Sequence, residues 1–383
     1  MARSKQGSIV QRGKRLYARI RWIELVDGQK VTREKFKRVL TRTEGRAAIT
    51  QMLRELDDHG PQIFDGAQLT FRTLATLYAS AKLTDAEYSG DTKIAGLRSP
   101  KTAQAQLAPL IAYFGDWLIR TIDYEAILTY KASRLRSETR RGTPRRLASV
   151  HRELERLRAV FRFAVRKRWL VESPFAHGEP LITKSDELRR DRLPTDEEEA
   201  ALLAFCTGKR EHMRGILICL SDTGMRPSEA FRLTWEDVQL DQRLIRLRAR
   251  NTKTLRERWL GMTLRLQAEL RRLWENSPRV LTERVFGIRD NVKRSFASLC
   301  KDAGIDGLQL RDFRNRTSTD YQLAGVPDAL AMKSTGHTQR RTYEGYVKVD
   351  QIIALQLADQ LEAHRASRTA KREQDRERTK KKA

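Results

Sequence analysis

Two stretches of this 383-residue sequence combine residue types that could break a phosphodiester bond. The first reads Thr-Gly-Met-Arg-Pro-Ser-Glu over residues 223–229. The second begins with Leu-Arg-Asp-Phe-Arg over 310–314, continues with Gly-His at 336–337 and ends with Thr-Tyr-Glu-Gly-Tyr over 342–346. Together they place arginines, a histidine and a late tyrosine in one chain, as cleavage by a protein nucleophile would require.

Cleaving a phosphodiester bond with a protein nucleophile sets three tasks for the side chains. Fixed cations must hold the non-bridging oxygens as charge builds up on phosphorus, and arginine suits this because its planar fork meets two oxygens and stays charged. A nucleophile must attack, and a tyrosine can store the bond energy in a phosphotyrosine link. A proton donor must serve the departing oxygen, which suits lysine because its pKa is easily perturbed.

The overall charge indicates a polyanionic partner. Lys and Arg number 76 against 49 Asp and Glu, a formal net charge of +27 that is spread over the whole chain. Such dispersed charge is typical of proteins that wrap nucleic acid along several surfaces. No apolar run approaches the roughly 18 residues of a membrane span, and no Cys/His group has metal-ligand spacing. We therefore expect a cytoplasmic nucleic-acid-binding protein without membrane contact, metal or cofactor.

Three domains are predicted, mainly helical and with small β-sheets. The first, residues 1–62, reads as strands over 14–40 with a hairpin turn signal at Asp27-Gly28. A helix is expected to begin at Thr43 as N-cap and to run to about Leu56. The strands are rich in Arg and Lys, so this unit suits a DNA groove.

The second predicted domain, residues 68–176, is all-helical, and a linker follows over 177–193. Apolar residues recur at helical spacing in four segments, 69–81, 102–114, 124–135 and 146–168. The polar, glycine-containing segment 82–100 reads as a loop.

The third predicted domain, residues 194–362, is mixed α+β but mostly helical, and a basic tail follows over 363–383. A capping box at Thr195 and Glu198 opens it, and a β-hairpin is expected over 244–260. Apolar spacing predicts six helices, over 216–220, 263–275, 290–303, 311–324, 328–334 and 350–361. The tail is charged and is expected to be disordered on its own.

The stretch 195–350 resembles the catalytic domain of tyrosine recombinases, the phage-integrase family. The family's first arginine box is similar to residues 223–229, and its hairpin lysine matches the lysine of Thr252-Lys253-Thr254. Its second box, usually His-x-x-Arg, falls on 311–314, and its nucleophile falls nine residues after the histidine of Gly336-His337. Six residues therefore correspond to the family's catalytic residues: Arg226, Lys253, Arg311, Arg314, His337 and Tyr346.

The resemblance implies a role for each of these residues. Tyr346 attacks the scissile phosphate and gives a 3′-phosphotyrosyl link and a 5′-hydroxyl. Lys253 protonates the leaving 5′ oxygen, and His337 assists at the phosphate. The pentacoordinate phosphate is stabilised by three arginines, Arg226, Arg311 and Arg314. The arginines are braced by two acidic residues, Glu229 and Asp312.

Arg311 departs from the family pattern, which usually has histidine at this position. Arginine cannot act as an acid or base near neutral pH, although it can still donate hydrogen bonds to a phosphate oxygen. Because of this departure, a slower or inactive enzyme stays open as an alternative.

Two further choices remain at the residue level. Tyr343 rivals Tyr346 because residues three apart share a helix face, and the spacing from His337 favours Tyr346. Near Lys253 two arginines compete for its role and are interpreted as DNA-facing surface, Arg256 and Arg258.

The N-terminal parts carry a weaker resemblance, to the helical core-binding domain over 69–174 and to the arm-binding domain of phage integrases over 1–60. It implies a phage or mobile-element integrase that acts as a homotetramer on core and arm attachment sites in double-stranded DNA, with accessory DNA-bending proteins as further partners. Two alternatives stay open: a non-enzymatic DNA-binding protein that keeps the fold, and a monomeric type IB topoisomerase-like enzyme that relaxes DNA.

Overall fold

The computed structural model describes residues 5–26, 29–90, 92–188, 190–289, 291–347, 354–355 and 358–369. Most of them are helical, as the sequence predicted, and the two three-stranded sheets are antiparallel. The chain divides into two compact units, Met1–Glu87 with Ile94–Leu188 and Tyr88–Lys93 with Arg189–Ala383. The division between 188 and 189 falls inside the predicted linker, and the three-domain limits stay a prediction.

The N-terminal residues form an antiparallel sheet covered by a helix. The elements are β1 (Lys5–Arg12), β2 (Arg15–Val26), β3 (Gln29–Val39), α1 (Arg42–His59) and α2 (Gln62–Gly66). Alternate β2 residues Ala18, Ile20 and Trp22 are buried in a core shared with α1, as strand periodicity requires. Val26 pairs with Gln29, and the predicted turn at 27–28 lies outside the described residues.

Helix α1 begins two residues earlier than predicted. The N-cap is Thr41, whose Oγ1 accepts a bond from the Glu44 backbone N–H at 3.1 Å, while Glu44 Oε2 accepts one from the Leu40 N–H. The Thr43 prediction was wrong because it overlooked the threonine that stands three residues before a glutamate, the spacing at which both groups satisfy unpaired backbone donors.

Four helices and a short hairpin follow within residues 71–166. The helices are α3 (Phe71–Lys82), α4 (Pro100–Phe114), α5 (Tyr124–Arg136) and α6 (Leu147–Arg166). They share a core to which α6 contributes Leu154, Leu157 and Phe161. Strands β4 (Glu87–Ser89) and β5 (Thr92–Ala95) pair inside the segment predicted as a loop. That prediction was wrong because strands of only three and four residues are too short to show a clear alternation of apolar and polar residues.

Residues 196–344 form a helical unit with one three-stranded sheet. Its helices are α7 (Asp196–Ala204), α8 (His212–Thr223), α9 (Pro227–Ala230), α10 (Leu264–Glu275), α11 (Lys293–Asp302), α12 (Asp312–Leu323), α13 (Asp328–Thr335) and α14 (Arg340–Glu344). The strands, in sheet order, are β6 (Val238–Gln239), β7 (Leu244–Leu247) and β8 (Arg258–Gly261). Thr195 caps α7 in the predicted capping box.

One apolar core holds these elements together. Helix α8 contributes Ile216, Leu217 and Leu220, which are fully buried in the same cluster as Ile245 of β7 and Phe313 of α12. The end of α8, the start of α12 and the β7–β8 hairpin therefore belong to one packed body, and the two sequence stretches that could do chemistry come from it.

The C-terminal residues are described only in part. Residues 354–355 and 358–369 are helical and exposed, and the rest of the predicted amphipathic helix over 350–361 lies outside the described residues. Helix continues to residue 369, past the predicted start of the tail at 363. Within the described part of the chain, no helix is long and apolar enough to cross a membrane.

Candidate active site

Arg226 is presented by a tight connection between two helices. Helix α8 ends at Gly224, whose φ of 61° lies in the left-handed region that glycine adopts most readily. Arg226 precedes Pro227 at the start of α9, and its backbone N–H and Nη1 donate to the two oxygens of Glu229 at 2.9 and 3.0 Å. One buried carboxylate thus sets both the backbone and the guanidinium of Arg226, the bracing role that the sequence predicted for Glu229.

Arg314 lies on the first turn of α12 and is 2% exposed. Its Nη1 donates to the backbone oxygen of Gly224 at 2.8 Å, and Nη2 donates to Nε2 of His337 at 2.9 Å. No described residue accepts a bond from its buried Nε. Burial, followed by the charge of Arg226, lowers the pKa of Arg314 from its ordinary value, so a bound anion would relieve the cost of this charge.

His337 follows α13, which ends at Gly336 in the left-handed region. Because arginine only donates hydrogen bonds, Nε2 of His337 accepts from Arg314 and the ring proton lies on Nδ1. Nδ1 lies 2.8 Å from Thr335 Oγ1, whose own hydroxyl donates to the Ala331 oxygen at 2.7 Å. The ring is therefore neutral, with its tautomer set by neighbours on both sides.

The protonation of His337 makes folding stability depend on pH. Burial, then the positive charges of Arg314, Arg226 and Arg258, lower the pKa of His337 from 6.5 to about 3. Between these values the unfolded chain binds a proton that the folded chain does not, so the free energy of unfolding falls as pH falls below 6.5 and is retained above it.

When the pH is lowered from about 7 to about 5, we expect the free energy of unfolding to fall less in His337→Asn than in the wild type. Urea denaturation at both values measures the difference, and the exposed His364→Asn is the matched control, expected to follow the wild type. Equal losses in wild type and His337→Asn would contradict the assignment.

The two candidate tyrosines occupy different environments. Tyr343 is fully buried in α14, its hydroxyl donates to the Ser318 backbone oxygen at 3.2 Å, and burial raises its pKa to about 12. Tyr346 is half-buried, with its ring centroid 4.5 Å from that of His337 and 5.3 Å from Cζ of Arg314. Helix α14 ends at Glu344, so the expectation that both tyrosines share a helix face was wrong.

Arg258 is a site residue that the sequence interpretation missed. It had been assigned to DNA-facing surface, but its side chain is only 8% exposed and bonds both oxygens of Glu229. Burial alone would raise the pKa of Glu229, but the bonds from Arg258 and Arg226 outweigh it and lower that pKa. The available signal was strand alternation, since Arg258 precedes exposed Trp259 and buried Leu260 on β8. Arg256, in contrast, is exposed.

Two predicted residues, Lys253 and Arg311, are exposed rather than packed into this cluster. Lys253 lies on the loop between β7 and β8, which Thr252 orders by donating to the oxygen of Arg256 at 3.0 Å. Arg311 immediately precedes α12. The structure thus gathers Arg226, Arg314, His337 and Tyr346, and it leaves Lys253 and Arg311 at the surface.

Asp312 was predicted to brace the arginines of the site, but in the structure it is bonded to Arg190. It is fully buried, and its two oxygens accept from Nε and Nη2 of Arg190 at 2.7 and 2.6 Å. The Gln309 N–H donates to it at 2.8 Å. Asp312 therefore fixes the first turn of α12, which carries Arg314, onto the chain segment that leads into this unit.

No metal-binding group accompanies these residues. Within the described ranges, no three His, Cys, Asp or Glu side chains lie close enough together to hold a metal ion.

Known integrases share this fold. Residues 192–351 match the model of the phage integrase family. The integrase of transposon Tn1549, in complex with a circular intermediate DNA, covers 72% of this chain and 94% of its own with a TM-score of 0.56 and 17% identity. A lambda integrase dimer bound to a core site covers 90% and 95% with a TM-score of 0.59 and 14% identity. A lambda integrase tetramer bound to a Holliday junction covers 87% and 96%, with a TM-score of 0.55 and 14% identity.

At such low identities these structures establish a shared fold. No curated protein matches the chain significantly. Residues 192–351 form a phage integrase family domain, and this range contains the whole stretch 195–350 for which the sequence predicted the resemblance.

Proposed function

We propose that this protein is a site-specific DNA recombinase, an integrase of a phage or mobile element, that cuts and rejoins DNA through a 3′-phosphotyrosyl intermediate. The observation that carries the proposal is the meeting of Tyr346 with the Arg314–His337 pair, beside Arg226. A half-buried phenol next to fixed cationic donors is the arrangement that tyrosine attack on a phosphate needs.

Cleavage starts with the scissile phosphate among the arginines. Arg226 and Arg314 donate to its non-bridging oxygens, and Arg314 has an unpaired buried Nε and a depressed pKa that favour an anionic ligand. Arg311, exposed at the start of α12, contributes a further donor in place of the histidine that the family usually has there. His337 assists at the phosphate by holding the Arg314 guanidinium through Nε2.

Bond exchange then follows at phosphorus. The Tyr346 oxygen bonds to phosphorus and its proton passes to solvent, while the bond to the 5′ oxygen breaks. Lys253 gives that oxygen a proton, which leaves a 5′-hydroxyl. A 5′-hydroxyl of a partner strand reverses both steps and restores the phenol, so the phosphodiester bond energy is conserved without ATP.

The wider assembly belongs to the same proposal. Strand exchange between two duplexes requires four active sites, which supports a homotetramer on DNA. The net charge of +27 supports extensive contact with the phosphate backbone. The basic β1–β3 sheet suits separate arm sites, and the helices α3–α6 suit the core site. Accessory DNA-bending proteins are further candidate partners, in a prokaryotic cytoplasm.

Covalent trapping on nicked DNA tests the proposal. Purified protein first selects bound duplexes from a random-sequence pool, and nicked versions of these are then incubated with it in the presence of EDTA. We expect a covalent protein–DNA band on a denaturing gel, because loss of the short strand beyond the nick prevents religation.

The outcomes separate the alternatives. No band on DNA that the protein binds would favour the non-enzymatic DNA-binding protein, and Arg311→His would then show whether the arginine is responsible. A band accompanied by plasmid relaxation, monomers on DNA and no recombinant product would favour the topoisomerase-like enzyme.

A further inference from the structure

Arg258, the first residue of β8, joins three elements of the site. Its Nη1 and Nη2 donate to the two oxygens of Glu229 at 3.3 and 2.6 Å, and its Nε donates to the Ser334 backbone oxygen at 2.8 Å. Strand β8 is thereby bonded both to α9, which carries Glu229, and to the last turn of α13. These bonds lie away from bulk water, where hydrogen bonds to charged groups are strongest.

The backbone beside His337 is shaped around the Arg258 guanidinium. Gly336 has a φ of +71°, and a Cβ placed there would lie 2.8 Å from Nη1 and 2.9 Å from Cζ of Arg258. A side chain at position 336 would therefore be strained by the backbone and would also collide with Arg258. The close approach of this guanidinium fixes the turn that aims His337 at Arg314.

Glu229 connects Arg258 to the other arginine box. Its Oε1 accepts from Nη1 of both Arg226 and Arg258, and its Oε2 accepts from the Arg226 backbone N–H and from Arg258 Nη2. All three nitrogens of the Arg258 guanidinium donate to protein acceptors, whereas Arg314 keeps an unpaired Nε. Arg258 is therefore built to hold other groups rather than to contact a phosphate itself.

We propose that Arg258 is a positioning residue of the recombinase reaction, which holds Glu229, and through it Arg226, at a set distance from the Gly336–His337 turn. Two parts of the chain that are more than a hundred residues apart in the printed sequence must direct donors at one phosphate, and Arg258 is bonded to both. The inference rests on the proposed function and adds to it a residue that contacts neither DNA nor the reacting atoms.

Cleavage rates of matched variants test this role. Arg258→Met removes the donors and the charge, and Arg258→Lys keeps the charge but cannot bond three acceptors as a planar fork does. Arg271→Met is the control, because it removes a charge from an exposed position on α10. At saturating nicked DNA we expect Arg258→Met to form the covalent adduct about 100-fold more slowly, the loss that a displacement of about 1 Å can cause. Arg258→Lys is expected to recover part of the rate, and Arg271→Met is expected to cleave at the wild-type rate.

Two readouts distinguish positioning from general destabilisation. DNA affinity is expected to fall no further in Arg258→Met than in Arg271→Met, because each loses one charge. Side-chain ¹⁵N spectra report the tautomer of each of the six histidines, and the signal that disappears in His337→Asn belongs to His337. This signal is expected to show the Nδ1–H tautomer alone in the wild type and a mixture of both tautomers in Arg258→Met.

Each other outcome overturns the inference. Cleavage at the wild-type rate by Arg258→Met contradicts the positioning role. If that variant fails to fold, cleavage at the wild-type rate by Arg258→Lys contradicts it instead. If the wild type itself forms no adduct, the proposed function fails while the spectra still decide the positioning role: an unchanged His337 signal in the Arg258 variants contradicts it.

Discussion

Replacing Tyr346 by phenylalanine is expected to abolish the covalent protein–DNA adduct and to leave DNA binding at the wild-type level. The substitution removes only the phenolic oxygen, and the ring that packs beside His337 at 4.5 Å is kept. No residual adduct is expected, since phenylalanine has no nucleophilic atom. Denaturing gels with nicked duplexes measure the adduct, and fluorescence anisotropy on the same duplexes measures binding.

Tyr343→Phe is the matched control for this experiment. It removes a hydroxyl that donates to the Ser318 oxygen in a fully buried position, at a cost of about 1 kcal/mol of stability. The adduct is expected to form at the wild-type rate with a slightly lower melting temperature. Adduct formation by Tyr346→Phe together with its loss in Tyr343→Phe would transfer the nucleophile to Tyr343.

Arg314→Lys is expected to slow cleavage by about 10²- to 10³-fold at saturating DNA, the range observed when one preorganised transition-state donor is removed. Arg314 bonds the Gly224 oxygen and His337 Nε2 while its Nε stays unpaired. A lysine retains the positive charge but carries a single nitrogen, so it cannot hold both partners and also meet a phosphate oxygen. Single-turnover adduct formation measures the effect.

Arg316→Lys provides the control two residues further along α12. Arg316 donates to Asp196 at 2.7 Å and to Asp320 at 2.9 Å, on a part of the helix that the Arg314 cluster does not use. We expect this variant to cleave at the wild-type rate. If Arg314→Lys also cleaves at that rate, Arg314 is not a donor in the transition state and the proposed mechanism needs another cation.

The two tyrosines illustrate how far spacing leads. Counting nine residues from His337 selected Tyr346, but helical periodicity alone could not separate it from Tyr343. The separation came from packing: Tyr343 fills the core with its hydroxyl bonded to Ser318 O, whereas Tyr346 lies beyond the end of α14. A helix end of this kind depends on what the next residues contact, which local sequence reveals poorly.

Arg258 and Lys253 illustrate the opposite case. Lys253 was predicted as a catalytic residue because it matches a position of the family, and Arg258 was predicted to lie at the surface because basic residues are usually exposed. In the fold Arg258 is buried and donates to three acceptor atoms, whereas Lys253 is exposed. The acceptors are Glu229, 29 residues before Arg258, and Ser334, 76 residues after it, so no local pattern indicates them.

The sequence by itself determined the helical fold class with small sheets and the capping of α7, because apolar spacing and cap residues act within a few positions of the chain. It also predicted the kind of chemistry, from residue type and family resemblance. Only the tertiary structure decided which arginines are buried donors, which acidic residues brace them and which tyrosine is buried in the core. Those outcomes depend on the packing of α8, α12, α13 and β8 around one core. Burial in that core changes the free energy of a charged side chain, and local sequence does not reveal which side chains are buried.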